Sequence, residues 1–197
     1  MKRLVVGKPH GFCSGVARAI ETARKVLAEH PSEAVYCLHE IVHNGIVVTD
    51  LAKRGMRFVE RVEDVPEGAI LLFSAHGVAP EVRRAAEARR LRVVDATCPF
   101  VARVHAAVRG FAASGTRVIC IGHRRHVEVI GVAGEAIGTV AVVENEAEAE
   151  ALELPPDTPV AVVTQTTLGA TQVDRVLAIL QRRFPALQIP AGTDVCY

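Results

Sequence analysis

At 197 residues, half of them hydrophobic and 23% charged, the chain has the length of one domain or two small ones and the composition of a folded protein rather than a disordered one. Lys and Arg (23) nearly cancel Asp and Glu (22), which excludes a global field that would hold nucleic acid or an acidic membrane, and 4% aromatics with no Trp excludes stacking platforms for single strands. No apolar run approaches the roughly 20 residues of a bilayer span, and Leu4-Val5-Val6 is too short for a signal-peptide core, so the expected location is cytoplasmic, with no membrane and no nucleic-acid partner.

From the N-terminus, Arg3–Val6 reads as a strand, followed by Gly11-Phe12-Cys13-Ser14-Gly15 and a helix on which Val16, Ala19, Ile20, Ala23, Val26 and Leu27 recur at helical spacing. Ala34–Leu38 is the next strand, and His39-Glu40 and His43-Asn44-Gly45 follow it. A weaker run, Arg57–Val59, precedes Ala69–Phe73, which leads into Ser74-Ala75-His76-Gly77; Arg92–Val94 leads into Asp95-Ala96-Thr97-Cys98-Pro99. A helix through Val101, Val104, Val108 and Phe111 connects to Arg117–Ile121, then Gly122-His123 and His126-Val127-Glu128. Thr139–Val143, an acidic solvated helix and loop over Glu144–Pro159, Val160–Thr164 with Gln165-Thr166-Thr167, a helix through Val173, Val176, Leu177 and Leu180, and a weak run Leu187–Ile189 complete the chain. Continuous rather than alternating apolar runs fit strands covered on both faces, so the fold class is α/β with repeated small, mostly parallel sheets flanked by helices. The run of elements up to Thr97–Pro99 resembles the run after it, which sets the boundary between two units there.

The five cysteines, an odd number without CxxC spacing, do not form a disulfide framework or a sequence-local zinc motif. Cys37 and Cys120 lie within strands and read as small buried hydrophobes. Cys13 and Cys98 lie past a strand at the start of a helix, where amide groups and the positive dipole end stabilise a thiolate, and read as ligands or nucleophiles. Position alone leaves Cys196 undecided.

Ligand sites in parallel sheets lie beyond the carboxyl ends of the strands, and six strand ends here offer Cys, His, Glu, Thr or Asn to that edge. His10, His30 and His105 read as structural or surface. His43, His76 and His126 read as a group that could grip a diphosphate, with helix starts near Gly15, Gly45, Gly77 and Gly169 adding amide donors; the alternative is zinc bound by two or three of these histidines with a cysteine, His123 and His126 being spaced i to i+3 and Glu128 serving as general base. Glu128 reads as a proton donor, and Thr166 as a hydroxyl that relays a proton or holds substrate.

Taken together and in order, these motifs, with Asp194-Val195-Cys196-Tyr197 at the end, closely resemble the 4-hydroxy-3-methylbut-2-enyl diphosphate reductase (LytB/IspH) family across the whole chain. The resemblance implies an iron-sulfur reductase that removes the substrate hydroxyl to give isopentenyl and dimethylallyl diphosphate, the last step of the non-mevalonate isoprenoid route. It implies that Cys13, Cys98 and Cys196 bind one 4Fe-4S cluster (3Fe-4S if oxidised), leaving one iron open as a Lewis acid for the hydroxyl. It further implies that His43, His76 and His126 hold the diphosphate, that Glu128 delivers protons with Thr166 assisting, and that electrons arrive singly from ferredoxin or flavodoxin, since no GxGxxG occurs.

Two departures from the family stand out. His126-Val127-Glu128 replaces His-Pro-Glu, with little expected effect. The family also continues beyond Cys-Tyr into a third α/β domain supplying serine and asparagine to the diphosphate. The expected layout is therefore two of three pseudo-equivalent domains of a trefoil-like arrangement, residues 14–97 and 98–193, with residues 1–13 and 194–197 belonging to the third. A non-catalytic diphosphate-binding fragment and a zinc-dependent hydrolase are the competing readings.

Overall fold

The computed structural model describes Val5 and residues 11–155, 157–191 and 195–196. The expected strand Arg3–Val6, apart from Val5, lies outside the described residues, as do His10, Asp194 and Tyr197.

The first helix, α1 (Ser14–Glu29), leads into strand β1 (Val35–Leu38); α2 (Gly45–Lys53), β2 (Met56–Val59), a 3₁₀ turn (Val62–Asp64), β3 (Ile70–Phe73), α3 (Pro80–Ala88) and β4 (Arg92–Asp95) follow. All four strands are parallel in the order β2-β1-β3-β4. The next set is α4 (Pro99–Ala113), β5 (Arg117–Ile121), α5 (Val127–Gly134), β6 (Val140–Val143), α6 (Glu146–Ala151), β7 (Val160–Thr164) and α7 (Ala170–Arg183), with a second parallel sheet ordered β6-β5-β7. The α/β class with parallel sheets flanked by helices is thus as read from the sequence. The weak run Leu187–Ile189 reduces to one bridge, Ala161 to Gln188.

The apolar runs are continuous because both sheet faces are covered. On β1, Val35 and Cys37 pack with Ala19, Ile20 and Ala23 of α1 and Leu51 of α2, whereas Tyr36 and Leu38 pack on the other face with Val62, Val65 and Ala86. The second sheet repeats this: Ile119, Ile121 and Val162 meet Val173, Val176 and Leu180 of α7, and Val118, Cys120 and Val163 meet Val104 and Val108 of α4 and Val129 and Val132 of α5. Cys37 and Cys120 are buried strand residues, and burial pushes both thiols up to about 12. They are inert at neutral pH.

One local expectation needs correction. The helix placed near Gly77 begins at Pro80 instead: Gly77 has φ +73°, a left-handed turn, and the fixed φ of Pro80 suits a first helical position.

Both strand orders contain a reversal. From β1 and β3 the chain leaves toward opposite edges of the first sheet, and from β5 and β7 toward opposite edges of the second. Such switch points open crevices at the carboxyl ends of the strands.

Candidate active site

The segments leaving those switch points carry the residues singled out in the sequence. His43 follows β1 and His76 follows β3; His126 and Glu128 follow β5, and Thr166 follows β7. The site is therefore built between the carboxyl edges of two sheets, which corrects the expectation that the six strand ends share one edge.

Three imidazoles converge there. The His43 and His76 ring centroids are 4.2 Å apart, His43 and His126 4.9 Å, and His76 and His126 5.7 Å. Each is held by its own turn. His126 caps α5, its Nδ1 accepting the Glu128 N–H at 3.2 Å, so the helix starts normally with Val127 in place of proline. Because Nδ1 accepts, the His126 proton lies on Nε2, which is 2.9 Å from His43 Nε2; His43 therefore accepts there and carries its proton on Nδ1, 3.4 Å from Glu40 Oε2. His76 is buried with Ser74 Oγ 3.1 Å from its Nδ1. Asn44 caps α2, its side chain accepting from the Ile46 and Val47 amides at 3.1 Å.

Burial first, then the charges of His43, His126 and His39, lower His76 from 6.5 to about 3; burial and neighbouring histidines also lower His126. A dianion among the rings reverses both effects by pairing with the charged forms. The sign for folding follows directly. Between pH 6.5 and about 3 the unfolded chain holds a proton on His76 that the folded chain does not, so stability falls as pH falls through that window. In urea titrations the His76→Gln variant is expected to lose stability with acid less steeply, by up to ~1.4 kcal/mol per pH unit, and inorganic pyrophosphate is expected to flatten the wild-type curve in the same window. An unchanged slope in the variant contradicts this.

Glu128 is 1% exposed in the first turn of α5. Its Oε1 accepts the Thr166 N–H at 2.6 Å and its Oε2 accepts the Thr166 hydroxyl at 3.1 Å. Burial raises its pKa, with the two Thr166 hydrogen bonds and the His43 charge opposing, so the carboxyl keeps its proton to higher pH than an ordinary glutamate.

Cys13 is the N-cap of α1 and Cys98 the N-cap of α4, neither making a side-chain cap bond, so both sulfurs stand at positive helix ends as expected. Cys196 is brought to them by its own amide, which donates to Thr166 O at 2.7 Å. Burial, then the nearby Cys13 and Cys98, raise the Cys196 thiol. The three cysteines, His43, His76, Glu128 and Thr166 line one cavity of about 350 Å³, with Phe12, Val42 and Phe100 among its apolar walls; His126 joins it through His43.

The fit to an iron-sulfur cluster rests on this donor set and on Gly15. A Cβ at Gly15 would overlap the Cys98 sulfur, so the space between the two N-terminal cysteine segments exists only because that residue is glycine. Among the described residues no three His, Cys, Asp or Glu groups gather closely enough for one metal ion. A multi-iron cluster spaces its thiolates more widely than a single ion does, and three thiols around one cavity suit it.

Sequence reading passed over Gln165. It is buried, accepts the His123 N–H at 2.9 Å and donates to Thr167 Oγ1 at 2.8 Å, tying the turn that carries His126 to the end of β7. Gly122 permits this, since a Cβ there would lie 2.6 Å from Val129 and 2.9 Å from the Gln165 side chain. A buried glutamine between threonines was the available signal. Among the described helices none is long and apolar enough to cross a membrane.

Known proteins resemble this chain in sequence and fold. A 4-hydroxy-3-methylbut-2-enyl diphosphate reductase of Burkholderia pseudomallei (strain 1026b) is 48% identical over 195 residues, covering 99% of this chain and 62% of its own length; one of Chlamydia pneumoniae is 44% identical over 197 residues, 63% of its length. The solved E-1-hydroxy-2-methyl-but-2-enyl-4-diphosphate reductase of Plasmodium falciparum superimposes with a TM-score of 0.93 at 40% identity, covering 96% of this chain and 59% of that one. A solved (E)-4-hydroxy-3-methyl-but-2-enyl diphosphate reductase, described as the terminal enzyme of the non-mevalonate pathway, gives 0.82 at 30% identity, with 98% and 68% covered. The chain thus spans about three fifths of the length of the curated relatives it matches. With the LytB protein family model matching residues 4–197, the chain belongs to the LytB family.

Proposed function

We propose that this chain carries the cluster-binding and substrate-binding core of a reductase that converts 4-hydroxy-3-methylbut-2-enyl diphosphate to isopentenyl and dimethylallyl diphosphate. The observation that carries the reading is that three cysteines, the histidine group and the Glu128–Thr166 pair border one cavity. Residues 14–97 and 98–193 act as two α/β units whose facing sheet ends form it.

In this reading His43, His76 and His126 bind the diphosphate. Its arrival opens the His43–His126 hydrogen bond, turns both Nε2 atoms to phosphate oxygens, and draws protons onto the rings. Loss of the substrate hydroxyl as water, with formation of a new C–H bond, consumes two electrons and two protons. When bound by Cys13, Cys98 and Cys196, a 4Fe-4S cluster would supply electrons one at a time and a Lewis acid at the iron left without a protein ligand. Oε1 is committed to the Thr166 amide, so in the protonated acid Oε2 carries the proton and the Oε2–Oγ1 hydrogen bond reverses: Oε2–H donates to the Thr166 hydroxyl, whose own proton passes into the cavity. Apolar side chains such as Phe12, Val42 and Phe100 keep bulk water off the allylic part of the substrate. Ferredoxin or flavodoxin is the electron donor in this reading.

Anaerobic reconstitution with iron and sulfide tests it. A brown, oxygen-sensitive protein is expected, with iron and acid-labile sulfide lost in Cys196→Ser, and turnover of the allylic diphosphate with a strong one-electron reductant. Zinc without labile sulfide favours a hydrolase, and diphosphate binding with a cluster but no turnover favours a binding fragment.

A further inference from the structure

His105 lies outside the site just described. It is 5% exposed on α4, the helix that starts at Cys98, and its Nδ1 is 2.6 Å from Glu135 Oε1, which Arg109 also contacts at 2.9 Å. Nδ1–H therefore donates to a carboxylate, and Nε2 presents a bare lone pair. That atom is buried and has no hydrogen-bond partner among the described residues. The hydrogen bond to Glu135 fixes one side of the ring, and what sets the other side is its packing.

The ring is flanked by two glycines, one from each half of the site. A Cβ on Gly77, the residue after His76, would be 2.8 Å from His105 Nε2; a Cβ on Gly131, in the helix that His126 caps, would be 3.3 Å from His105 Cε1. Gly131 also lies beside the Val78 backbone, and Gly134 against Ala79, so α5 and the turn after β3 meet along a seam of small residues. The imidazole is set into that seam, with Thr97 and Val101 also against Gly77, and Glu135, at the end of α5, anchors it.

We propose that His105 is a positioning residue: wedged between the His76–Gly77 turn and α5, it sets the separation of His76 from His126 and so the width of the diphosphate grip. The proposal rests on the reading of those histidines as the diphosphate site, and its test separates the two. His105→Asn keeps an N–H toward Glu135 but removes the outer half of the ring. It is expected to shift or abolish the nuclear Overhauser contacts between the His76 and His126 rings in NMR spectra of the folded chain, and to weaken inorganic pyrophosphate binding about tenfold or more, since displacements near an ångström in such sites have effects of that size. Gly131→Ala pushes the wedge from the other side and is expected to alter the same ring contacts, with a smaller loss of affinity. Combining the two lets the new methyl occupy vacated space and recover part of the loss, a non-additivity that independent structural damage does not produce.

Unchanged ring contacts and pyrophosphate affinity in folded His105→Asn, with only a lower melting temperature, overturn the proposal. If that variant fails to fold, unchanged ring contacts in Gly131→Ala do so. If ring contacts shift as expected but the wild-type chain does not bind pyrophosphate, the positioning role stands and the diphosphate reading falls.

Discussion

Replacing Gly15 with alanine is expected to leave the chain folded and to abolish the cluster binding proposed for Cys13, Cys98 and Cys196. Gly15 sits in the first turn of α1 with no positive φ, so alanine is a better helix former there by about 1 kcal/mol. The added methyl would overlap the Cys98 sulfur, which can avoid it by rotating about a single side-chain bond. The cost therefore falls on the position of one thiol rather than on the backbone. Circular dichroism and thermal melting should match or slightly exceed wild type, while iron and labile sulfide after anaerobic reconstitution fall to the level of Cys13→Ser. Full cluster loading in Gly15→Ala would mean that Cys98 does not contribute its sulfur from the place described.

Replacing Glu128 with glutamine is expected to lower reductive turnover about 10²- to 10⁴-fold, the usual range for loss of a positioned acid. The variant separates chemistry from folding. A glutamine Oε1 still accepts the Thr166 amide and its NH₂ group can donate to the Thr166 hydroxyl, so the shape of the turn survives. The sign for stability is also set. Burial raises the Glu128 pKa above 4.5, so between that value and the folded pKa the folded chain holds a proton that the unfolded chain has released, and stability falls as pH rises through this window. Glutamine removes that loss, and the variant should be no less stable than wild type at neutral pH. If Glu128 is the proton donor proposed above, turnover by the wild type declines as pH rises through the raised pKa, and residual activity of Glu128→Gln lacks that limb. Near-normal turnover in the variant would remove Glu128 from the role of donor.

Much of this site was legible in the amino-acid sequence. Cys13 and Cys98 were marked by standing past a strand or at a helix start, and they prove to be N-caps. Glu128 and the three histidines were marked by following strands in a parallel α/β pattern, and the structure brings them together. Cys196 was not legible from its surroundings; it is placed by one backbone hydrogen bond to Thr166 across thirty residues of chain. The helix near Gly77 was misplaced because a glycine after a strand suits an amide-donating helix start and a left-handed turn equally well.

The sequence by itself determined the elements and their order, because period-3.6 and continuous apolar patterns record which faces each element buries. It also determined the chemical inventory at the strand ends. Only the tertiary structure decided the strand orders and that the reversals of the two sheets face one cavity, that His126 caps its own helix while donating to His43, and that His105 packs into a glycine seam between the two halves. The physical reason is range. Propensity and periodicity act over a few residues, whereas strand order, tautomer and the close approach of glycines are fixed by partners many tens of residues away, whose identity no local pattern encodes.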